Sequence, residues 1–257
     1  MKTILKTLIF TLLTGCVSAP QAGSLVEVTV TNRTTGMQQP LYRHQGKLYV
    51  AGSPGDRYAV SLRNKTAGRV LTVLSVDGVN AISGETAAVD QAGYVLDPYA
   101  LADVTGWRKN MSDVAAFVFT SLPDSYAART GRPGNVGVIG VAVYREQPVP
   151  RYLPAPQSAA PMEQNSADNA GVMSEKRMSE APRREDKLGT GHGEREHSPV
   201  FYTEFKRESD TPYETISIFY DSKANLIAMG VLPKQPKCVT SVPEPFPASA
   251  RFVPDPY

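Results

Sequence analysis

Cysteine is almost missing from this chain: Cys16 and Cys238 are the only two in 257 residues. Cys16 lies at the end of a leader-like stretch. That leaves one thiol, so no internal disulfide can staple the fold. Cys238 sits in a Pro- and Lys-rich segment without a catalytic partner and reads as an incidental thiol, able at most to bridge two chains. Charge of one sign is also lacking. Lys and Arg number 27 against 25 Asp and Glu, a formal net charge of +2, and no basic stripe of the kind nucleic acid requires is present. Downstream of the leader no apolar run is long enough to cross a bilayer. The nucleophile and metalloprotease signatures G-x-S-x-G, S-x-x-K with its partners and H-E-x-x-H are absent. Apolar residues make up 41%, below the usual globular share, so part of the chain is expected to be non-globular.

Residues 1–15 have the form of an export signal, with Lys2 and Lys6 ahead of a short apolar core over Thr7 to Leu13. Leu13-Thr14-Gly15-Cys16 resembles a bacterial lipobox, whose cysteine is lipidated before cleavage. The other reading is ordinary cleavage after Val17-Ser18-Ala19, which would put Pro20 first in the mature chain, a position that peptidase tolerates poorly. Lipidation of Cys16 is therefore favoured, and a membrane partner through the lipid anchor with it. Several acyl chains would hold stably, at about 0.8 kcal/mol per buried methylene. Val17 in place of an acid resembles the sorting signal of Gram-negative outer-membrane lipoproteins. The alternative address is secreted or periplasmic and soluble.

The residues that follow predict an all-β fold, an antiparallel β-sandwich. After a tether over 16–23, Val26, Val28 and Val30 alternate with Glu27, Thr29 and Thr31. His44-Gln45-Gly46 predicts a hairpin, and Asp77-Gly78 a tight turn with Val79 to Ile82 pairing back. Tyr58, Val60 and Leu62 share a strand face, Arg69 to Val76 is apolar enough to be central, and Phe117 and Phe119 are expected to be large core residues. Tyr99 to Val104 is open to a helical turn. Val136 to Tyr144, bounded by turn residues and by Arg145-Glu146, predicts a strand buried on both faces, with Gly137 and Gly140 marking close packing on opposite sides. The sandwich domain is placed at 24–147. Residues 148–187 are nearly without β-branched residues and predict a flexible linker. A C-terminal β-hairpin segment over 188–233, built from Glu214 to Tyr220 and Asn225 to Leu232 after a strand at Phe201 to Phe205, is too small to stand alone and is expected to dock on the sandwich. A Pro-rich, disordered tail fills 234–257.

Chemistry is concentrated only at His192, Glu194, Glu196 and His197. Histidine with carboxylate suits a divalent transition metal, yet Arg195 in their midst opposes metal charge and a solvated polar loop accounts for them better. His44 joins such a site only if 188–233 docks there. Gly189 to Gly193 lacks the strand, helix and Lys-Ser/Thr of a phosphate loop. Asp97, Asp103, Asp113 and Asp124 are expected in turns. Trp107, the sole tryptophan, is a stacking platform for sugar if exposed beside Tyr94 or Tyr99, and a core residue if buried. Asn32-Arg33-Thr34, Asn64-Lys65-Thr66 and Asn110-Met111-Ser112 match a glycosylation pattern but read as polar turns under a bacterial leader.

Ser75-Val76-Asp77-Gly78-Val79-Asn80 with Ser83-Gly84, Gly93-Tyr94-Val95, Gly106-Trp107-Arg108, Phe117 to Ser121 with Ser125-Tyr126-Ala127, and Gly131-Arg132-Pro133 with Asn135 to Gly140 form a distinctive series. Over residues 40–146 and part of 188–232 it resembles a family of uncharacterised exported envelope proteins of Gram-negative bacteria. The resemblance implies an address and no activity, and no site residue follows from it. The expectation is a non-enzymatic envelope lipoprotein, without cofactor, that binds or assembles with an envelope protein or a glycan. A metal-dependent envelope enzyme at His192, Glu194, Glu196 and His197 and a carbohydrate-binding module at Trp107 are the alternatives.

Overall fold

The structure, a computed structural model, describes residues 22–148 and 187–233. Its strands in chain order are β1 (Val26–Asn32), β2 (Met37–Gln38), β3 (Leu41–His44), β4 (Lys47–Gly52), β5 (Arg57–Asn64), β6 (Val70–Val76) and β7 (Val79–Asn80). They continue as β8 (Tyr94–Leu96), β9 (Leu101–Val104), β10 (Gly106–Arg108), β11 (Asp113–Ser121), β12 (Val138–Arg145), β13 (Leu188–His197) and β14 (Glu214–Ser222). Among the described residues two short helices interrupt them, α1 (Tyr126–Arg129) and α2 (Lys223–Ala228), with a 3-10 turn at Pro133–Asn135. The expected signal, the tail, Cys16 and Cys238 lie outside the described residues, as do all but the ends of the expected linker.

The strands make two sheets. The first runs β10-β11-β5-β1-β2, with β13 beside β11 and β9 beside β5; the second runs β3-β4-β14-β12-β6-β7, with β8 beside β6. One apolar core lies between them. Val26, Val28, Val30, Tyr58, Leu62, Phe117 and Phe119 from the first sheet meet Val50, Leu74, Val76, Ile139, Val141, Ile216 and Ile218 from the second. Each such side chain contributes about 1.5–3 kcal/mol by leaving water. The β12 run is buried on both faces, as expected. Ile139, Val141 and Val143 point into the core, while Ala142 and Tyr144 face outward onto Leu71 and Val73 under Phe205. Gly140 lies inside β12, but Gly137 precedes it at φ +93°, a bend only glycine makes without strain.

Residues 188–222 correct the expected hairpin. β13 and β14 belong to different sheets, and β14 lies between β4 and β12 in the middle of the second. It runs parallel to β4, Ile218 facing Leu48, and antiparallel to β12, Ile218 facing Ile139, so the sandwich is mixed rather than purely antiparallel. Glu214 further ties this segment to the start of β1, its carboxylate accepting from the Ser24 and Leu25 amides at 2.6 and 2.9 Å. A strand with two neighbours cannot be told from one with a single neighbour by alternation alone, which is why a central strand reads as half of a hairpin.

Asn225 to Leu232 is likewise not a strand. Ser222 caps α2 by accepting from the Asn225 amide. Gly230 at φ +75° ends it in a Schellman turn, with Val231 N–H bonded to Leu226 O and Gly230 N–H to Ile227 O. Leu226 thereby packs on Tyr49 and Leu232 outside the second sheet. In place of a helical turn, Tyr99 sits in a tight turn at φ +59° and Leu101–Val104 is β9, while Phe201 to Phe205 is open loop. The glycosylation-like triplets are polar turns: Asn32 accepts from the Thr34 and Thr35 amides, Asn64 from Thr66, and Asn110 from Ser112 and Asp113. Gln45 and Gly46, both at positive φ, make the two-residue hairpin expected between β3 and β4.

Candidate functional site

The deepest polar structure is a hydrogen-bonded chain between the sheets. Asp77, at φ +55° in the β6–β7 turn, is fully buried. Its Oδ1 accepts from the Gly137 amide at 2.9 Å and from the Tyr220 hydroxyl, and its Oδ2 accepts from the Thr190 amide at 2.8 Å. Thr190 Oγ1 lies 2.6 Å from the Tyr220 hydroxyl and 2.7 Å from that of Tyr58. A carboxylate only accepts, so Tyr220 donates to Asp77, which obliges Thr190 to donate to Tyr220 and Tyr58 to donate to Thr190. All the dipoles point one way, which strengthens each bond.

Burial pushes the Asp77 carboxyl above its ordinary value, against the hydrogen bonds from Tyr220, Gly137 and Thr190. Burial, aided by the Asp77 charge, likewise raises both tyrosines well above theirs, with Tyr58 also acting on Tyr220. These hydrogen bonds join the β6–β7 turn and β14 of one sheet to β13 and β5 of the other through buried side chains, and so tie the two sheets together. Thr190→Val keeps the shape but strands the Tyr58 hydroxyl. It is expected to destabilise by about 1–3 kcal/mol, more than Tyr58→Phe, which removes the donor itself; urea titration of both variants checks the order.

Among the described residues, the segment between β13 and β14 carries the most exposed aromatic groups on the surface. Its start is pinned by Ser198 and Val200 amides donating to Ser112 and Met111 carbonyls, and by Arg108 donating to Ser198 O at 2.6 Å. Its middle is held by Arg69, paired with Glu146 and donating to Glu204 O. Further on, Phe205 covers the outer face of the second sheet, and Arg207 lies 4.3 Å over the Tyr144 ring while donating to Gln91 O. Between these anchors Phe201 and Tyr202 are 90% and 91% exposed. Two large aromatics are thus held in water on a loop anchored on both sides. Alternation of apolar residues hid them, because Phe201 and Phe205 look like positions of one strand face.

The residues singled out in the sequence are dispersed. Glu194 pairs with Arg57, and Glu196 with Arg33 and Arg57. His197 lies 3.8 Å from Asp113, whereas His192 turns to the Tyr126 ring. Among the described residues no three His, Cys, Asp or Glu side chains converge on a point a metal ion could occupy. His44 sits against Tyr49 at the β3–β4 hairpin, in the other sheet from His192. Asp113 and Asp124 bond locally to Asn110 and Ser121, as turn residues do. Gly189 to Gly193 is strand: a Cβ at Gly189 would meet Ser125 and Val136 within 2.8 Å.

Trp107 is only 3% exposed, packed edge-on against Phe117 and tilted against Tyr126, so it offers no face to a sugar ring. Tyr94 is half-buried and Tyr99 exposed on a separate turn. No helix among the described residues is long and apolar enough to cross a membrane. No family model, no curated protein and no solved structure matches the chain.

Proposed function

We propose that the chain is an envelope lipoprotein of a Gram-negative bacterium, anchored through Cys16, whose sandwich binds an envelope partner through Phe201 and Tyr202. The exposure of this pair on a loop pinned at both ends carries the reading. Aromatic side chains dominate binding hot spots because each can bury some 150–250 Å² with few rotors to freeze. The anchors at Arg108, Arg69 and Arg207 reduce the ordering cost on association. Cys16 stands six residues before Ala22, the first described residue, so an extended tether would span at most roughly 20 Å and keep the sandwich near the bilayer.

Neither aromatic supports the core, so Phe201→Ala with Tyr202→Ala is expected to leave the melting temperature within about 1 °C of wild type. A photo-reactive residue at 202 is expected to give one discrete cross-linked adduct in intact cells, lost when Phe201 is Ala. Metabolic labelling with palmitate is expected to mark the wild type and not Cys16→Ala. A chain without label, or a position 202 that yields no adduct, contradicts the corresponding half of the proposal.

A further inference from the structure

The end of the sandwich beside α1 carries a different chemistry. A cleft of about 340 Å³ opens there, lined by Asp124, Tyr126, Arg129, Thr130 and His192. His192 stands opposite Phe117 on β13, and its ring lies 5.7 Å from that of Tyr126. Tyr126 in turn lies 4.9 Å from buried Trp107, so the imidazole rests on an aromatic stack rooted in the core. Arg132 closes the other side, over the Tyr126 ring and donating to Gly84 O and Thr130 Oγ1.

Charge around the cleft is unbalanced. Lys109, Arg129 and Arg195 take part in none of the ion pairs among the described residues. Nearby Glu194 is taken by Arg57, Asp113 faces His197, and Asp124, the one carboxylate lining the cleft, accepts from Ser121 Oγ at 2.8 Å. Burial first, and then the charges of Lys109, Arg129 and Arg195, hold His192 below its usual pKa. Three unpaired cations against the single Asp124 carboxylate leave a net positive field, the complement of an anion.

We infer that this cleft is an oxyanion site for a phosphate group, gripped by the Arg129 guanidinium and by His192, with Lys109 and Arg195 supplying the surrounding field. Guanidinium presents a donor fork that matches phosphate oxygens, and several unpaired cations suit a doubly charged group better than a carboxylate. The group comes either from a soluble phosphate or from an anionic lipid headgroup. The site shares no residue with the Phe201–Tyr202 loop, so it stands or falls separately.

The test follows the His192 ring protons of the full-length protein by NMR, assigned with His192→Gln. Inorganic phosphate is expected to raise the His192 pKa by about one unit, as an opposite charge at close range does. Chloride at equal ionic strength is expected to leave it unmoved, and Arg129→Gln to weaken the phosphate effect at least tenfold. The same shift from vesicles containing an anionic phospholipid, without one from free phosphate, identifies the lipid headgroup as the source. No shift from either, an equal shift with chloride, or an undiminished response in Arg129→Gln overturns the inference.

Discussion

A chain that stops at Pro148 is expected not to fold. It would lack β13 and β14, and with β14 the strand that joins β4 to β12 across the second sheet. The apolar loss is Leu188, Ile216, Ile218 and Tyr220 from the core. At about 1.5–3 kcal/mol each, that loss rivals the roughly 5–15 kcal/mol of total stability a domain has. The truncation also leaves β4 and β12 with bare edges that favour aggregation, and leaves Asp77 without two of its three donors to the carboxylate. Urea titration of the truncated chain is expected to show no cooperative transition. A separate fragment covering 187–233, added in excess, is expected to restore one. A cooperative transition in the truncated chain alone, with the slope of the full protein, contradicts this.

Asp77→Ala is the point substitution with the largest expected cost. It leaves the Gly137 and Thr190 amides and the Tyr220 hydroxyl without their acceptor inside the core. At about 1–3 kcal/mol per stranded donor, with roughly 1 kcal/mol more for a non-glycine, non-Asx residue at positive φ, the loss is on the order of 5 kcal/mol. Asp77→Asn tolerates the backbone and keeps one oxygen for Gly137 and Tyr220, but turns an amide group toward the Thr190 N–H. Its cost is expected to be about half as large.

The pH dependence has a definite sign. Burial raises the folded carboxyl above its ordinary 3.8, so in that window the folded state holds the proton better than the unfolded chain. The resulting stabilisation is fully present below the ordinary value and is lost as pH rises through the folded one. Stability of the wild type relative to Asp77→Asn is therefore expected to fall across that window, measured as the difference in urea midpoints. A flat difference contradicts the assignment.

What the sequence discloses is local. Alternation in β1, the unbroken apolar run of β12, the shared face of Phe117 and Phe119 and the turns at Gln45-Gly46 and Asp77-Gly78 are each set by a few neighbouring residues, and each is present. What stays hidden depends on distant partners. β14 alternates Ile216, Ile218 and Tyr220 as any half-buried strand would, and only its neighbours β4 and β12 make it central. β13 looks like a loop because glycines crowd it, yet Val136 and Ser125 press on Gly189, and Val118 on Gly193, leaving no room for side chains. Asp77 is legible as a turn former, since that role is local. Its three donors, at residues 137, 190 and 220, lie 60 or more positions away. Ser222 and Gly230 are the signals that disclose α2, a cap and a left-handed stop around an apolar turn.

The central claim is that residues beyond 187 complete the sandwich from within. Native-state amide exchange tests it most directly, comparing Ile216, Ile218 and Tyr220 of β14 with Ile139, Val141 and Val143 of β12. The two strands are expected to exchange together in the slowest class, opening only with global unfolding. Rapid exchange in β14 while β12 stays protected would show that the strand is an accessory to the sheet and not its centre.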